Sequence, residues 1–297
     1  MKNKFVAGID VGGSHITSAI INISSGELLQ KTIRRKAIDS KGEYQDIIKN
    51  WSSVISESFD AVAMVPKQIG IAMPGPFDYD EGICLIHNQD KYDALYGLNI
   101  KHLLAESLNI EAADIVLTND AACFLYGELF SGAAKDCRDA VGLTLGTGLG
   151  SAYVKRNQVV DAEWWCAPFK NGIAEDYLST RWFTHRYEEL TGKAIGNVKA
   201  ILTDSLVPKT IITQLFTEFA HNLGEFLGGR KLNSTVDMLV LGGNIAQSFD
   251  LFEEELLKTL ASYGIYLSVK PAVLGENAAL IGAASNCHRK SCELMSN

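Results

Sequence analysis

The sequence predicts an α/β protein of two lobes with a cleft between them. One unit of strand, glycine-rich turn and strand occurs twice, and amphipathic helices and further apolar strands follow each copy. The first copy is Phe5-Val-Ala-Gly-Ile-Asp-Val-Gly-Gly-Ser14 running on into the apolar stretch 16–23, and the second is Ala140-Val-Gly-Leu-Thr-Leu-Gly-Thr-Gly-Leu-Gly-Ser-Ala-Tyr-Val154. Two halves that begin alike place their glycine turns on opposite sides of a shared cleft. The expected division is a smaller lobe over 1–117 together with a terminal helix over 277–297, and a larger lobe over 118–276.

Within the first lobe, residues 5–10 and 16–23 are apolar and rich in β-branched side chains, so they form a hairpin that ends before the turn at Gly26. Tyr44, Ile47, Ile48, Trp51, Val54, Ile55 and Phe59 recur at three- and four-residue intervals, which predicts a helix over 43–59 covering one face of a sheet. Residues 68–76 read as a strand closed by Pro74-Gly75-Pro76, a loop whose backbone can face a ligand. Residues 115–118 are a short apolar strand that meets Asn119-Asp120 at the start of a helix. Residues 237–241 are a third apolar strand, ending in Gly242-Gly243-Asn244 before a helix.

With 297 residues, 47% of them hydrophobic and 21% charged, the chain can build two cores. A net charge of −8, with no basic run longer than Arg34-Arg35-Lys36 or His288-Arg289-Lys290, argues against a nucleic-acid partner. No apolar run approaches the roughly 18 residues of a membrane span. Met1-Lys-Asn-Lys4 precedes the first strand without the apolar core of a signal peptide, so the expectation is a cytoplasmic protein with no membrane partner. The cysteines at 84, 123, 137, 166, 287 and 292 form no C-x-x-C pair, which points away from a zinc ribbon or a disulfide framework.

Each glycine turn has two readings. Asp10-Val-Gly12-Gly13-Ser14 suits a phosphate, because glycines let backbone N–H groups close on an anion while Asp10 holds Mg²⁺, and it equally suits a tight turn with a structural Asp. Asn119 and Asp120 read either as a helix N-cap or as a substrate-orienting amide beside a general base. Gly242-Gly243 can end a strand or receive a nucleotide.

Taken together and in order, these motifs resemble the ROK family of sugar kinases, glucokinases and N-acetylmannosamine kinases among them, within the actin-like, ribonuclease H-like ATPase superfamily. The resemblance rests on Asp10-Val-Gly-Gly-Ser14, the G-x-x-x-P-G-P-x-D loop at 70–78, Asn119-Asp120, Leu145-Gly-Thr-Gly-Leu-Gly-Ser151, Leu241-Gly-Gly-Asn244 and the closing stretch that begins Gly275-Glu-Asn-Ala. It implies phosphorylation of a hexose or N-acetylhexosamine hydroxyl by ATP with Mg²⁺, with Asp120 as the base. By the same resemblance, Asn88, Asn119, Glu163 and Glu175 contact the sugar. Asp10, Gly12, Gly13, Ser14, Gly146, Thr147, Gly148, Gly242, Gly243 and Asn244 hold the phosphates and nucleotide, and Asp10 also holds the metal. A homodimer is implied by the resemblance alone.

The departures lie on the sugar side. The family's E-x-G-H and cysteine-rich zinc loop correspond to 162–175, where Cys166 takes the histidine position and the zinc cysteines are missing, so no zinc site is expected. Trp164 and Trp165 fill that loop, either stacking on a sugar ring or packing as core. The surroundings of Asn88, His87-Asn88-Gln89-Asp90, lack the family tryptophan. His15 reads as a solvent-facing strand-edge residue, and His185 and His221 lack a matching carboxylate pattern. An N-terminal DNA-binding helix-turn-helix, as in the family's repressors, has no room before the first strand. The alternative to a kinase is a non-catalytic sugar-binding regulator on the same fold.

Overall fold

The computed structural model describes residues 5–62, 68–156, 158–230, 232 and 236–294. The chain divides into two compact units, one of residues 1–135 with 276–297 and one of 136–275.

In the first unit the chain runs through β1 (Phe5–Val11), β2 (His15–Asn22), β3 (Glu27–Leu28), β4 (Arg34–Ala37), α1 (Tyr44–Asp60), β5 (Ile69–Met73), β6 (Phe77–Asp78), β7 (Ile83–Cys84), α2 (Ile100–Leu108), β8 (Ile115–Asn119) and α3 (Asp120–Ser131). The main sheet has the order β3-β2-β1-β5-β8, with β4 also on β2. β1 and β2 form the expected hairpin, in register from Phe5 opposite Asn22 to Val11 opposite Ile16. β5 lies parallel to β1, and β8 parallel to β5.

Because successive strand residues face opposite sides, Ala7, Ile9 and Val11 share a core with Trp51, Val54, Ile55 and Phe59 of α1. Gly8 and Gly70, side by side in β1 and β5, face the other way.

In the second unit the order is β9 (Ala140–Leu145), β10 (Leu149–Lys155), β11 (Gln158–Asp161), β12 (Pro168–Phe169), β13 (Gly172–Ile173), α4 (Ala174–Tyr177), α5 (Thr180–Thr191), α6 (Val198–Thr203), α7 (Lys209–Gly229), β14 (Met238–Gly242), α8 (Glu253–Ser262) and β15 (Ser268–Pro271). Its sheet runs β11-β10-β9-β14-β15. A hairpin followed by two parallel strands therefore recurs, as the repeated sequence unit predicts. The core is aromatic, with Phe183, Phe216, Phe219 and Phe252 in mutual ring contact. The helix expected straight after Gly242-Gly243 is instead a 3₁₀ segment, Ala246–Leu251, with α8 beginning at Glu253.

The chain then returns to the first unit as α9 (Asn277–Leu294). α9 covers the sheet face that α1 leaves open, and small residues make the approach possible. A Cβ on Gly8 would lie 2.0 Å from the Leu280 carbonyl oxygen, and one on Gly70 2.0 Å from that of Ala283. α3 packs on α9 in the same manner, with a Cβ on Gly282 falling 1.7 Å from the Cys123 carbonyl oxygen. This contact carries the first unit to residue 135 rather than the expected 117, because α3 belongs with α9 and β8 belongs to the first sheet.

Gly282→Ala is expected to force the two helices apart and to destabilise the first unit by about 1–3 kcal/mol. Chemical denaturation reads this as a lower midpoint at unchanged slope, and an unaltered midpoint would show that the helices yield without cost.

Candidate active site

The carboxyl ends of the parallel strands β1, β5 and β8 bring together Asp10, Met73 with the following Pro74-Gly75-Pro76, and Asn119 with Asp120. Open parallel sheets bind ligands at this end. The turn after β1 is closed by the Gly12 N–H donating to the His15 carbonyl at 2.9 Å. Gly12, Gly13 and Ser14 are exposed, and among the described residues the N–H groups of Gly13 and Ser14 have no acceptor. Two free backbone donors beside glycines are an anion cradle. The Ser14 hydroxyl is hydrogen-bonded to His15 Nδ1 at 2.9 Å, which ties up His15, an exposed residue.

The segment 87–93 anchors this turn from outside. The buried Tyr92 stacks edge-on against Trp51, and its hydroxyl donates to the Gly12 carbonyl. Burial, helped by the negative charge of Asp10, pushes the Tyr92 phenol above its ordinary pKa, so it stays a donor. Asn88 lies in this segment, exposed, with its N–H donating to Asp93 Oδ1 at 2.6 Å.

Of the two readings of the Asn-Asp pair, the helix cap is seen at Asn119. Asn119 Oδ1 accepts from the Ala122 N–H at 3.1 Å and caps α3, while its Nδ2 is 3.5 Å from the Tyr79 hydroxyl. Asp120 Oδ1 accepts from the Ala121 N–H at 2.8 Å, and the residue remains accessible to solvent. Surrounding protein nonetheless raises the Asp120 pKa, and the helix-start N–H and the Lys91 ammonium act in the opposite direction.

Asp10 is raised to about 6, first by burial and then by the Asp120 charge, with Arg35 opposing and Glu276 adding to the rise. Two carboxylates thus share one end of the sheet. Asp10 accepts no hydrogen bond from the described residues, so its oxygens are available to a cation. One or two carboxylates beside phosphate oxygens are what Mg²⁺ selects, so the donor set fits that ion.

In the second unit the turn after β9 is closed by the Gly146 N–H donating to the Gly148 carbonyl at 3.0 Å. Glu175 does not stand free beside it. Its Oε2 accepts from the Leu149 N–H at 3.0 Å, and its Oε1 lies 3.5 Å from Arg181. A Cβ on Gly148 would fall 2.6 Å from that carboxylate. The Thr147 and Gly148 N–H groups have no acceptor among the described residues.

The third turn lies against this one. Gly243 adopts φ +85°, and a Cβ there would sit 2.3 Å from the Leu145 carbonyl oxygen, so only glycine fits. Gly242 pairs with Thr144, and the Ile245 N–H donates to the Leu145 carbonyl at 3.1 Å, which places Gly242, Gly243 and Asn244 next to Gly146, Thr147 and Gly148.

Glu163 is exposed, with left-handed backbone, and its N–H donates to Asp161 Oδ1 at 2.8 Å. The tryptophan pair divides. Trp164 packs edge-on against Phe226 as core, and Trp165 is 47% exposed. Cys166 donates to the Glu163 carbonyl at 3.3 Å. Among the described residues no three His, Cys, Asp or Glu side chains are grouped to hold a metal ion. No helix among them is long and apolar enough to cross a membrane. His221 does have a carboxylate partner that its own helix does not supply, Glu255 of α8 at 2.8 Å. Lys91, Tyr92 and Arg35 were not legible as site residues, since each reaches the turn or the carboxylates only through tertiary contacts.

The fold is the actin-like one, two α/β units each built on a hairpin followed by parallel strands. A sequence profile of the ROK family matches residues 6–163, and the chain belongs to that family. It is 24% identical to the N-acetyl-D-glucosamine kinase of Pectobacterium atrosepticum, over 83% of this chain and 86% of that one. The ROK hexokinase of Thermus thermophilus superposes with a TM-score of 0.78 at 21% identity, covering 97% of this chain and 99% of the other. A ROK glucokinase of Streptomyces griseus, crystallised with glucose and AMPPNP, gives 0.73 at 18% identity, covering 96% and 99%.

The Asp10 shift sets a pH test. A carboxyl bound more tightly to its proton when folded, near 6 against an ordinary 3.8, costs stability as pH rises through that window. Asp10→Asn is therefore expected to raise Tm by about 3 °C or more at pH 8 and to leave it unchanged at pH 3.5. An equal gain at both pH values would assign the effect to something other than charge.

Proposed function

We propose that this protein transfers the terminal phosphoryl group of ATP to a hydroxyl of a hexose or N-acetylhexosamine, with Asp120 as general base. The observation that carries the proposal is the placement of an accessible Asp120 at the strand end that also carries Asp10 and the free N–H groups of Gly13 and Ser14. That arrangement supplies a proton acceptor, a metal-binding carboxylate and an anion cradle, the parts phosphoryl transfer requires.

In this reading Asp120 takes the proton of the sugar hydroxyl as its oxygen bonds to the γ-phosphorus. The bond from phosphorus to the β,γ-bridging oxygen breaks, ADP leaves with that electron pair, and Asp120 later returns the proton to solvent. Mg²⁺, when bound, neutralises charge on the transferring phosphates, and Asp10 is the residue that would hold it. Asn119, whose carbonyl is committed to capping α3, offers its amide hydrogens to a sugar oxygen. Glu163 is free to accept from sugar hydroxyls, and the exposed Asn88 is a further proposed contact. The turns Gly146-Thr147-Gly148 and Gly242-Gly243-Asn244, lying side by side, are proposed for the nucleotide. The curated relatives named for N-acetyl-D-glucosamine support an N-acetylhexosamine as the first acceptor to try.

The test is ADP release from Mg-ATP across a panel of hexoses and N-acetylhexosamines. Sugar-dependent turnover is expected, with kcat falling at least about 10²-fold in Asp120→Asn while the sugar KM stays within a few-fold. Sugar-induced thermal stabilisation without any turnover would instead mark a sugar-binding regulator.

A second measurement separates the glutamates. Glu163→Gln is expected to raise the sugar KM, whereas Glu175→Gln, by loosening the Leu149 turn, raises the ATP KM and leaves the sugar KM nearly unchanged. The reverse pattern would return Glu175 to the sugar.

A further inference from the structure

Lys91 stands out among the cations of the first unit. It is half-buried, and among the described residues its ammonium has no ion-pair or hydrogen-bond partner. Its neighbours on both sides are fixed. Asp90 is bound by Lys41 at 2.5 Å, and the Tyr92 N–H donates to the Ser40 carbonyl at 2.6 Å while its hydroxyl holds the Gly12 carbonyl. Asn88, Asp90 and Tyr92 all take left-handed backbone, at φ 56°, 59° and 58°. Such conformations persist only where the surroundings impose them.

The consequence of this fixed loop is the course of the Lys91 side chain. A Cβ built on Gly13 would meet Lys91 Cδ at 4.0 Å, so the aliphatic stem passes over the glycine turn. The charge at its end acts on Asp120, across the turn whose Gly13 and Ser14 N–H groups are free. An unpaired ammonium whose stem lies over the anion cradle and whose charge acts on the proton acceptor can meet the charge that develops when phosphoryl moves from one to the other.

Resting on the kinase reading above, we infer that Lys91 is a catalytic residue that binds the transferring phosphoryl group, its ammonium donating to a γ-phosphate oxygen as the bond to the β,γ-bridging oxygen breaks. The bond changes are those given above. Lys91 exchanges no proton, and it supplies a positive charge that the phosphoryl oxygens meet most strongly in the transition state. The ROK family motif turn is thus completed in this chain by a residue far from it in sequence, delivered by the segment that Tyr92 clasps onto Gly12.

The experiment compares wild type, Lys91→Met and Lys91→Arg, each first shown to keep its thermal midpoint. With the sugar the wild type turns over, Lys91→Met is expected to lose about 10²-fold or more in kcat with the sugar KM changed less than threefold, and Lys91→Arg to recover at least tenfold of that loss. An unchanged kcat in Lys91→Met, or a loss confined to the sugar KM, overturns the assignment.

A binding arm stands apart from turnover. Calorimetry with tripolyphosphate is expected to show at least tenfold weaker binding to Lys91→Met, and a shallower dependence on salt, than to wild type. If wild type turns over no sugar but this difference appears, the kinase reading fails while the phosphate contact of Lys91 stands. Equal tripolyphosphate affinities in wild type and Lys91→Met sink the Lys91 contact whatever the turnover.

Discussion

The first unit depends on backbone lying against backbone along α9. Gly8, Gly70, Gly127 and Gly282 each leave no room for a Cβ, and the atoms they meet are main-chain carbonyls, which cannot rotate away as a side chain does. Close approach fixes the height of α9 over the sheet and the height of α3 over α9. Since α3 begins at Asp120, its seating on α9 also sets where that carboxylate stands relative to the end of β1. Polar contacts hold the register along the same seam. Asn286 donates to the Thr118 hydroxyl at 2.9 Å, one residue before Asn119, and accepts from Arg289 at 2.8 Å. A segment nearly 160 residues distant in sequence thus positions the candidate base, as the chain's return from the second unit requires.

The electrostatics of the site follow from that geometry. Asp10 and Asp120 are brought to one sheet end without a shared proton donor, so burial first and the Asp120 charge second raise the cost of ionising Asp10. Each carboxylate has its own cation. Arg35, which also pairs with Glu276 at 2.8 Å, opposes the shift at Asp10, and Lys91 opposes it at Asp120. The two cations are not equivalent. Arg35 is already engaged by a carboxylate, whereas Lys91 has no ion-pair partner among the described residues. The sheet end thus carries two anionic side chains and, beside them, one cation with no ion-pair partner among the described residues.

The sequence read most truly where chemistry and local pattern coincide. The hairpins announce themselves by β-branched strands around glycine turns, α1 by its three- and four-residue spacing, and the Asn119-Asp120 junction by an apolar strand meeting two polar residues. What stayed hidden is tertiary. Nothing local in Tyr92 says that its hydroxyl reaches Gly12, and nothing near Glu175 says that a backbone N–H of β10 claims it. The unit boundary moved from 117 to 135 for the same reason, since a strand-to-helix junction looks like an edge until α9 returns to cover it. Trp164 and Trp165, adjacent and identical, could be divided into core and surface only by the turn that points them apart.

The duplicated hairpins show how one backbone device serves two purposes. In the first, a neutral phenol holds the turn from outside through Gly12, leaving the strand-end carboxylate Asp10 unpartnered. In the second, the strand ends in Leu145, no carboxylate occupies the position of Asp10, and the anionic clamp Glu175 binds the turn at Leu149. The first turn therefore pairs its free N–H groups with an acidic, cation-seeking side chain, while the second spends its acidic group on its own architecture. Unequal clamps on equal turns are the physical reason the two halves of the molecule, alike in topology, present different groups at their turns.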